Sequence, residues 1–251
     1  MGISLKQAFS FVPQDKKWVN KIFIGGLLMF FPCFMYILPG IQRLLFNPVN
    51  YYLVSLCVIL AAVTAFIVRG YFFKTLHNRI VHFHGRLASW KYYSYYLYIG
   101  FKAYLASMIL LLPFLLVFGF IMLFAPMSLS LESIPFLFAG FMLIILYAVF
   151  YIMLALNFAL DFRFKSFFNI KKAFDLIRHN ITGYVVLVFD CLLVGFCGFI
   201  LSVILMNAQI FGLLLPFVIF YIYMVYCDLF AQFALQVGEE KYDENKCYVQ
   251  G

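Results

Sequence analysis

Trp90-Lys91-Tyr92-Tyr93-Ser94-Tyr95-Tyr96 runs directly into the apolar stretch Gly100–Ala125. A basic, aromatic approach of this kind suits a membrane surface, because amphipathic rings keep one edge in the headgroup layer and the other in hydrocarbon. The stretch that follows is long enough to cross a hydrocarbon core about 30 Å thick as a helix. The two together read as an interfacial segment turning down into a membrane span. The same arrangement precedes the first and the fifth apolar runs.

Composition agrees. Of 251 residues, 66% are hydrophobic and only 11% charged, and the mean hydropathy is +1.01. Soluble domains run nearer to half apolar. The charges come in blocks between long uncharged runs, the pattern of a polytopic membrane protein. The net charge of +8 flanks the spans and does not gather on one soluble face, so it points to anionic headgroups and away from nucleic acid. The cysteines sit in or beside apolar runs, apart from Cys247, and show no Cys-x-x-Cys spacing. They read as small packing residues, with no disulfide framework and no zinc site.

Taken in order, Leu5, Ala8, Phe9 and Val12 form the apolar face of a short interfacial helix, with Lys6, Gln7 and Ser10 opposite and Pro13 ending it. Asp15-Lys16-Lys17-Trp18 marks the headgroup level. Pro32 inside the next run, and the lack of a small-x-small cleavage site, argue against a signal peptide. Six spans are expected at about 22–38, 51–68, 100–125, 134–160, 183–206 and 211–236, the second ending at Arg69 and Gly70. Between the second and third, Phe72, Leu76, Ile80, Phe83 and Leu87 alternate with basic residues as a second amphipathic segment. A third follows the fourth span: Phe167, Ile170, Phe174 and Ile177 share one face, Lys171, Lys172, Asp175 and Arg178 the other, with Ser166 as N-cap. The chain from Gly238 is charged and expected to be a disordered tail.

Of the 18 Lys and Arg residues, all but Arg43 fall on one side of this scheme. The positive-inside rule then puts both termini in the cytoplasm and makes this a multi-pass protein of the cell membrane. Lys6-Gln7-Ala8-Phe9 resembles Lys171-Lys172-Ala173-Phe174, which suggests three units, each an elbow helix followed by a transmembrane hairpin.

Asp190 and Asp228 lie inside apolar runs, where an acid costs on the order of 2.5–3.5 kcal/mol. Helical rise places Asp190 roughly 10 Å and Asp228 roughly 12 Å from the cytoplasmic ends of neighbouring spans. Gln232 and Asn157 extend a polar cluster, in which the two carboxylates share a proton or meet Arg69. Two readings stay open: a proton- or cation-linked site of a small-solute or ion transporter, or interhelical hydrogen bonds that hold the bundle together. His77, His82 and His84 lack an acid or the spacing of a metal site. No phosphate loop and no catalytic triad is recognisable, so neither a cofactor nor an enzymatic activity is expected.

Ala8-Phe9-x-Phe11 with Trp18, Lys21-Ile22-x-x-Gly25-Gly26, Gly70-Tyr71 and Leu87-x-x-Trp90 recur as a set with Asn157-Phe158-Ala159, Ala173-Phe174, Asn180 with Tyr184, and Leu229-Phe230-Ala231-Gln232. With these the chain resembles the prokaryotic integral-membrane family catalogued as domain of unknown function 4013. It departs at Leu87-Ala88-Ser89-Trp90, where members show Leu-Pro-x-Trp. The resemblance implies a multi-span prokaryotic membrane protein and brings no catalytic residues. The expected role is non-catalytic: organising lipid or supporting a membrane complex, with anionic lipids and either a protein partner or a second copy as partners. Lys171, Lys172 and Arg178 would meet headgroups, and Trp18, Trp90, Tyr92, Tyr93 and Tyr95 would form the aromatic belt.

Overall fold

The computed structural model describes residues 2–37, 51–81, 86–123, 134–207 and 209–249. Helices α1 (Leu5–Phe11), α2 (Trp18–Ile37), α3 (Tyr51–Val81), α4 (Tyr93–Leu123) and α5 (Ile134–Asp161) are followed by a 3-10 turn at Phe164–Phe168. Then come α6 (Ile170–His179), α7 (Ile181–Asn207), a second 3-10 segment at Gln209–Leu214, and α8 (Leu215–Val249). No strand occurs among the described residues. Five helical segments there are long and apolar enough to cross a membrane: 55–81, 93–120, 138–161, 181–207 and 212–238. The first expected span forms a shorter apolar helix, Trp18–Cys33.

Several boundaries differ from the sequence reading, each for a local reason. Arg69 and Gly70 do not end the second span; α3 continues to Val81, because the apolar repeat from Phe72 keeps the phase of the helix before it and no proline interrupts it. The second amphipathic segment, as far as Val81, is therefore the last part of a span, and His82–Gly85 lie outside the described residues. The tyrosine cluster is the first turn of α4, which begins at Tyr93. Pro216 falls in the first turn of α8 and not mid-helix, the position where its missing N–H costs nothing. Helix α8 also runs on past Gly238, through most of the stretch expected to be a disordered tail. Arg43, Leu38 and Ala125 lie outside the described residues.

The chain divides into two compact units, residues 1–101 with 179–251, and residues 102–178. These do not coincide with the three repeats read from the sequence. In the first unit α8 is central and packs against α1, α2, α3 and α7. Without a hydrophobic drive between helices in lipid, such packing relies on close backbone approach at small residues. Gly70 of α3 and Gly100 of α4 supply it: a methyl on Gly70 would collide with the backbone of Tyr96, and one on Gly100 with that of Phe66. Gly25 and Gly26 of α2 leave room for the rings of Phe220 and Phe217 in the same way. In the second unit, Phe158 and Phe167 are fully buried and tie α5 to the 3-10 turn, their ring centroids 6.0 Å apart.

Because backbone cannot move aside as a side chain can, Gly70→Ala should lower the stability of the detergent-solubilised protein by about 1–3 kcal/mol. Gly119, where an added methyl meets nothing within 4 Å, is the control, and Gly119→Ala should hold or raise the melting temperature. Equal melting of the two variants would contradict the crossing at Gly70.

Candidate functional site

The polar cluster forms in the first unit, with a different cation from the one expected. Arg79, in the last turn of α3, donates from Nε to Asp228 Oδ1 of α8 at 2.7 Å. Arg79 is 7% exposed and Asp228 fully buried. Gln232, one turn along α8, donates from Nε2 to the other carboxylate oxygen at 2.7 Å. The same amide holds the chain entering α1: Ser4 N–H donates to Gln232 Oε1 at 2.8 Å, and Gln232 Nε2 reaches Ser4 O at 3.3 Å. Phe11 covers the guanidinium, whose carbon lies 5.1 Å from the ring centroid. Both oxygens of Asp228 are thus engaged, and the cation has an aromatic lid.

This explains a shift on α1. Phe11, with Ala8 and Val12, faces the bundle, while Phe9 is exposed. The apolar face expected for this interfacial helix included Phe9 with Leu5, Ala8 and Val12; the ring that packs inward is Phe11, over Arg79.

A second latch lies at the segment before α4. Lys21 Nζ donates to Asp15 Oδ2 at 2.7 Å and to the carbonyl of Leu87 at 2.7 Å. Lys17 N–H closes on Asp15 Oδ1 at 2.8 Å. Trp90 Nε1 donates to Lys21 O at 3.0 Å, and its ring stacks on Tyr71, centroids 3.9 Å apart and 9° from parallel. Tyr71 and Tyr96 hydroxyls donate to the carbonyls of Ala88 and Ser89 at 2.8 and 2.5 Å, and Ala88 N–H reaches Thr75 Oγ1 at 3.3 Å. Residues 87–90 are therefore a pinned loop. Trp90 is half-buried and packs within this latch, and Asp15 is a buried ion-pair partner.

With the geometry of both latches in place, comparison with known proteins can be read against it. Residues 52–210 match the family model described as protein of unknown function, DUF4013. The chain belongs to the DUF4013 family. No curated protein and no solved structure matches it. In this DUF4013 protein the matched span includes Arg79, Trp90 and Asp190, whereas Asp15, Asp228 and Gln232 lie outside it.

The remaining predicted residues are dispersed in this DUF4013 protein. Asp190 of α7 is buried at 8% exposure, but no hydrogen bond or ion pair joins it to Asp228, whose partners are Arg79 and Gln232. Arg69 does not meet Asp228 either. It sits ten residues before Arg79 on α3, almost three turns away. Asn157 belongs to the second unit, where its Nδ2 donates to Asn169 O at 3.2 Å. Asn169, not Ser166, caps α6, its Oδ1 accepting Lys172 N–H at 3.0 Å; Ser166 turns to Asp161 instead. Trp18 is half-buried, and Tyr92, Tyr93 and Tyr95 are exposed. Lys171, Lys172 and Arg178 are exposed. No cluster of three or more His, Cys, Asp or Glu able to hold a metal occurs among the described residues.

Sequence reasoning missed Arg79 because it stands among basic residues of an amphipathic pattern. Its signal was a phase argument: Phe72, Leu76 and Arg79 fall at steps of four and three, on the buried stripe.

Breaking a buried pair on one side strands the other charge, at about 3–5 kcal/mol. Arg79→Gln should therefore destabilise strongly and free α1 for proteolysis at Lys6, while the double change Arg79→Met with Asp228→Leu should recover most of the stability. Thermal melting and limited trypsinolysis check both; a wild-type melting point in Arg79→Gln would refute the pairing.

Burial of Asp15 opposes its ionisation, but Lys21 and the Lys17 N–H outweigh it and hold the carboxyl below its usual value of 3.8. A carboxyl lowered on folding adds stability above its unfolded pKa and loses it as pH falls through the folded one. The stability gap between wild type and Asp15→Asn should be constant above pH about 4 and close only below it. Urea-melting series in detergent at several pH values read the gap; one that closes near neutrality would rule out this role.

Proposed function

We propose that this DUF4013 protein is a non-catalytic component of a prokaryotic cell membrane, with six spans and both termini cytoplasmic, that gathers anionic lipid and so organises the membrane around itself or around a partner. One observation carries the reading. Helix α6 buries only Ala173, while Ile170 and Phe174 on its apolar side remain 54% and 58% exposed. Lys171, Lys172 and Arg178 are exposed on the same helix. An amphipathic helix anchored at one small residue, apolar side bare and basic side free, suits the boundary between headgroups and acyl chains. Tyr92, Tyr93 and Tyr95 at the start of α4 fit the same layer.

The transporter alternative draws less support. It needs the Asp190 and Asp228 carboxylates to share a water-reached site, and both oxygens of Asp228 are already taken by Arg79 and Gln232. Buried between an arginine and an amide, Asp228 serves the packing of α3, α8 and the chain before α1.

Each basic residue near an anionic surface contributes about 1 kcal/mol. Lys171, Lys172 and Arg178 changed together to Gln should then cut retention of phosphatidylglycerol at least tenfold in nanodiscs of mixed phosphatidylglycerol and phosphatidylcholine, with melting unchanged. Equal retention by the variant would remove the basis of this reading.

A further inference from the structure

Within the first unit, α7 and α8 enclose an open groove of 420 Å³ lined by Val194, Cys197, Leu201, Phe217 and Tyr221, with Phe9 of α1 at its rim. Its size is that of a small-ligand site, about 300–1,000 Å³. The lining is apolar, but the stripe of α7 that forms one wall does not stay so. Asp190 precedes Val194 by four residues, Cys197 by seven and Leu201 by eleven, which sets all four on one face of the helix. Asp190 is 8% exposed, and Leu187 and Val194 on that face are buried too, while Phe189 and Leu192 beside it are exposed to the outside. No hydrogen bond or ion pair satisfies its carboxylate among the described residues, a costly state for an acid in an apolar helix.

The dimensions fit a lipid. At about 1.5 Å per residue, Asp190 to Leu201 spans roughly 16 Å, close to half of a hydrocarbon core about 30 Å thick. Asp190 to Asn207, at the end of α7, spans roughly 25 Å on the same rise. With Asn207 at one surface, Asp190 comes near the opposite headgroup layer, and the groove runs inward from Val194 past the midplane to Leu201, roughly 9 Å from the Asn207 surface. The neighbouring elbow points the same way. Tyr221 Oη donates to Phe9 O at 2.9 Å, which brings α1, with Lys6 and Ser10 exposed, to the Asp190 end of the groove. Tyr226 Oη, donating to Cys191 O at 3.1 Å, closes the helix pair at that level.

We propose that the groove holds one acyl chain of phosphatidylethanolamine, whose ammonium donates to Asp190. The chemistry selects that headgroup: a choline nitrogen has no N–H to give, and an anionic headgroup would be repelled by the carboxylate. The site is separate from the basic face of α6 and takes a different lipid, so the two proposals fail independently.

The test is native mass spectrometry of the full chain in mild detergent, with phosphatidylethanolamine, phosphatidylcholine and phosphatidylglycerol added in equal amounts. Wild type should retain phosphatidylethanolamine at least fivefold over phosphatidylcholine. Asp190→Asn should bring that ratio within twofold of unity, and Asp190→Glu should keep it. Cys197→Trp, which fills the groove from its open side, should lose the lipid altogether while melting as wild type does. The Lys171/Lys172/Arg178 triple variant should keep the preference intact. No preference in wild type, an undiminished preference in Asp190→Asn, or a membrane-protein partner released by Asp190→Asn in place of lipid would each overturn the proposal.

Discussion

A desolvated charge inside an apolar helix bundle has to be matched, and the Arg79–Asp228 pair imposes that condition on the first unit. Arg79 reaches Asp228 only if α3 continues unbroken beyond Arg69 and Gly70, which it does, to Val81. The remaining carboxylate oxygen requires a donor, and Gln232 provides it while its own carbonyl takes the Ser4 N–H. The outer side of the guanidinium is then closed by Phe11. One ion pair thereby dictates the length of one span, the register of another and the inward face of a seven-residue helix too short to be stable alone. Such a pair adds little net stability over an apolar core, but it penalises every arrangement that separates the two charges.

The class of fold was legible because it rests on bulk properties. Long uncharged runs, aromatic flanks and one-sided basic residues need no knowledge of contacts. The spans at 134–160 and 183–206 fall within two residues of the helices observed. What stayed hidden was every feature set by a partner distant in the chain. Arg69 and Arg79 look alike in sequence, both basic and both close to apolar residues; only the position of Asp228, about 150 residues on, distinguishes them. Trp90 reads as a belt residue by type, yet a carbonyl at Lys21 and a ring at Tyr71 draw it inward. A local competition was missed as well: Asp161, only five residues before Ser166, takes the hydroxyl expected to cap α6. Asp190 and Asp228 seemed a matched pair on depth alone, and depth does not fix the rotation of a helix about its axis.

The same distinction bears on where function resides. Asp15, Lys21, Arg79 and Asp228 are charged groups consumed by the fold, each held by at least one ionic partner. Groups so consumed have little freedom to meet a ligand. Lys171, Lys172 and Arg178 are outside such pairs and exposed, on a helix whose apolar side is exposed as well. Asp190 is the opposite case, buried and with no hydrogen bond or ion pair to its carboxylate among the described residues. Two kinds of group thus stay outside the internal pairs: exposed basic side chains, those of α6 among them, and the Asp190 carboxylate, on the α7 face that carries the groove residues Val194, Cys197 and Leu201. On the two proposals above, a single kind of surrounding, the headgroup layer, would serve both, with phosphates for the first and amines for the second.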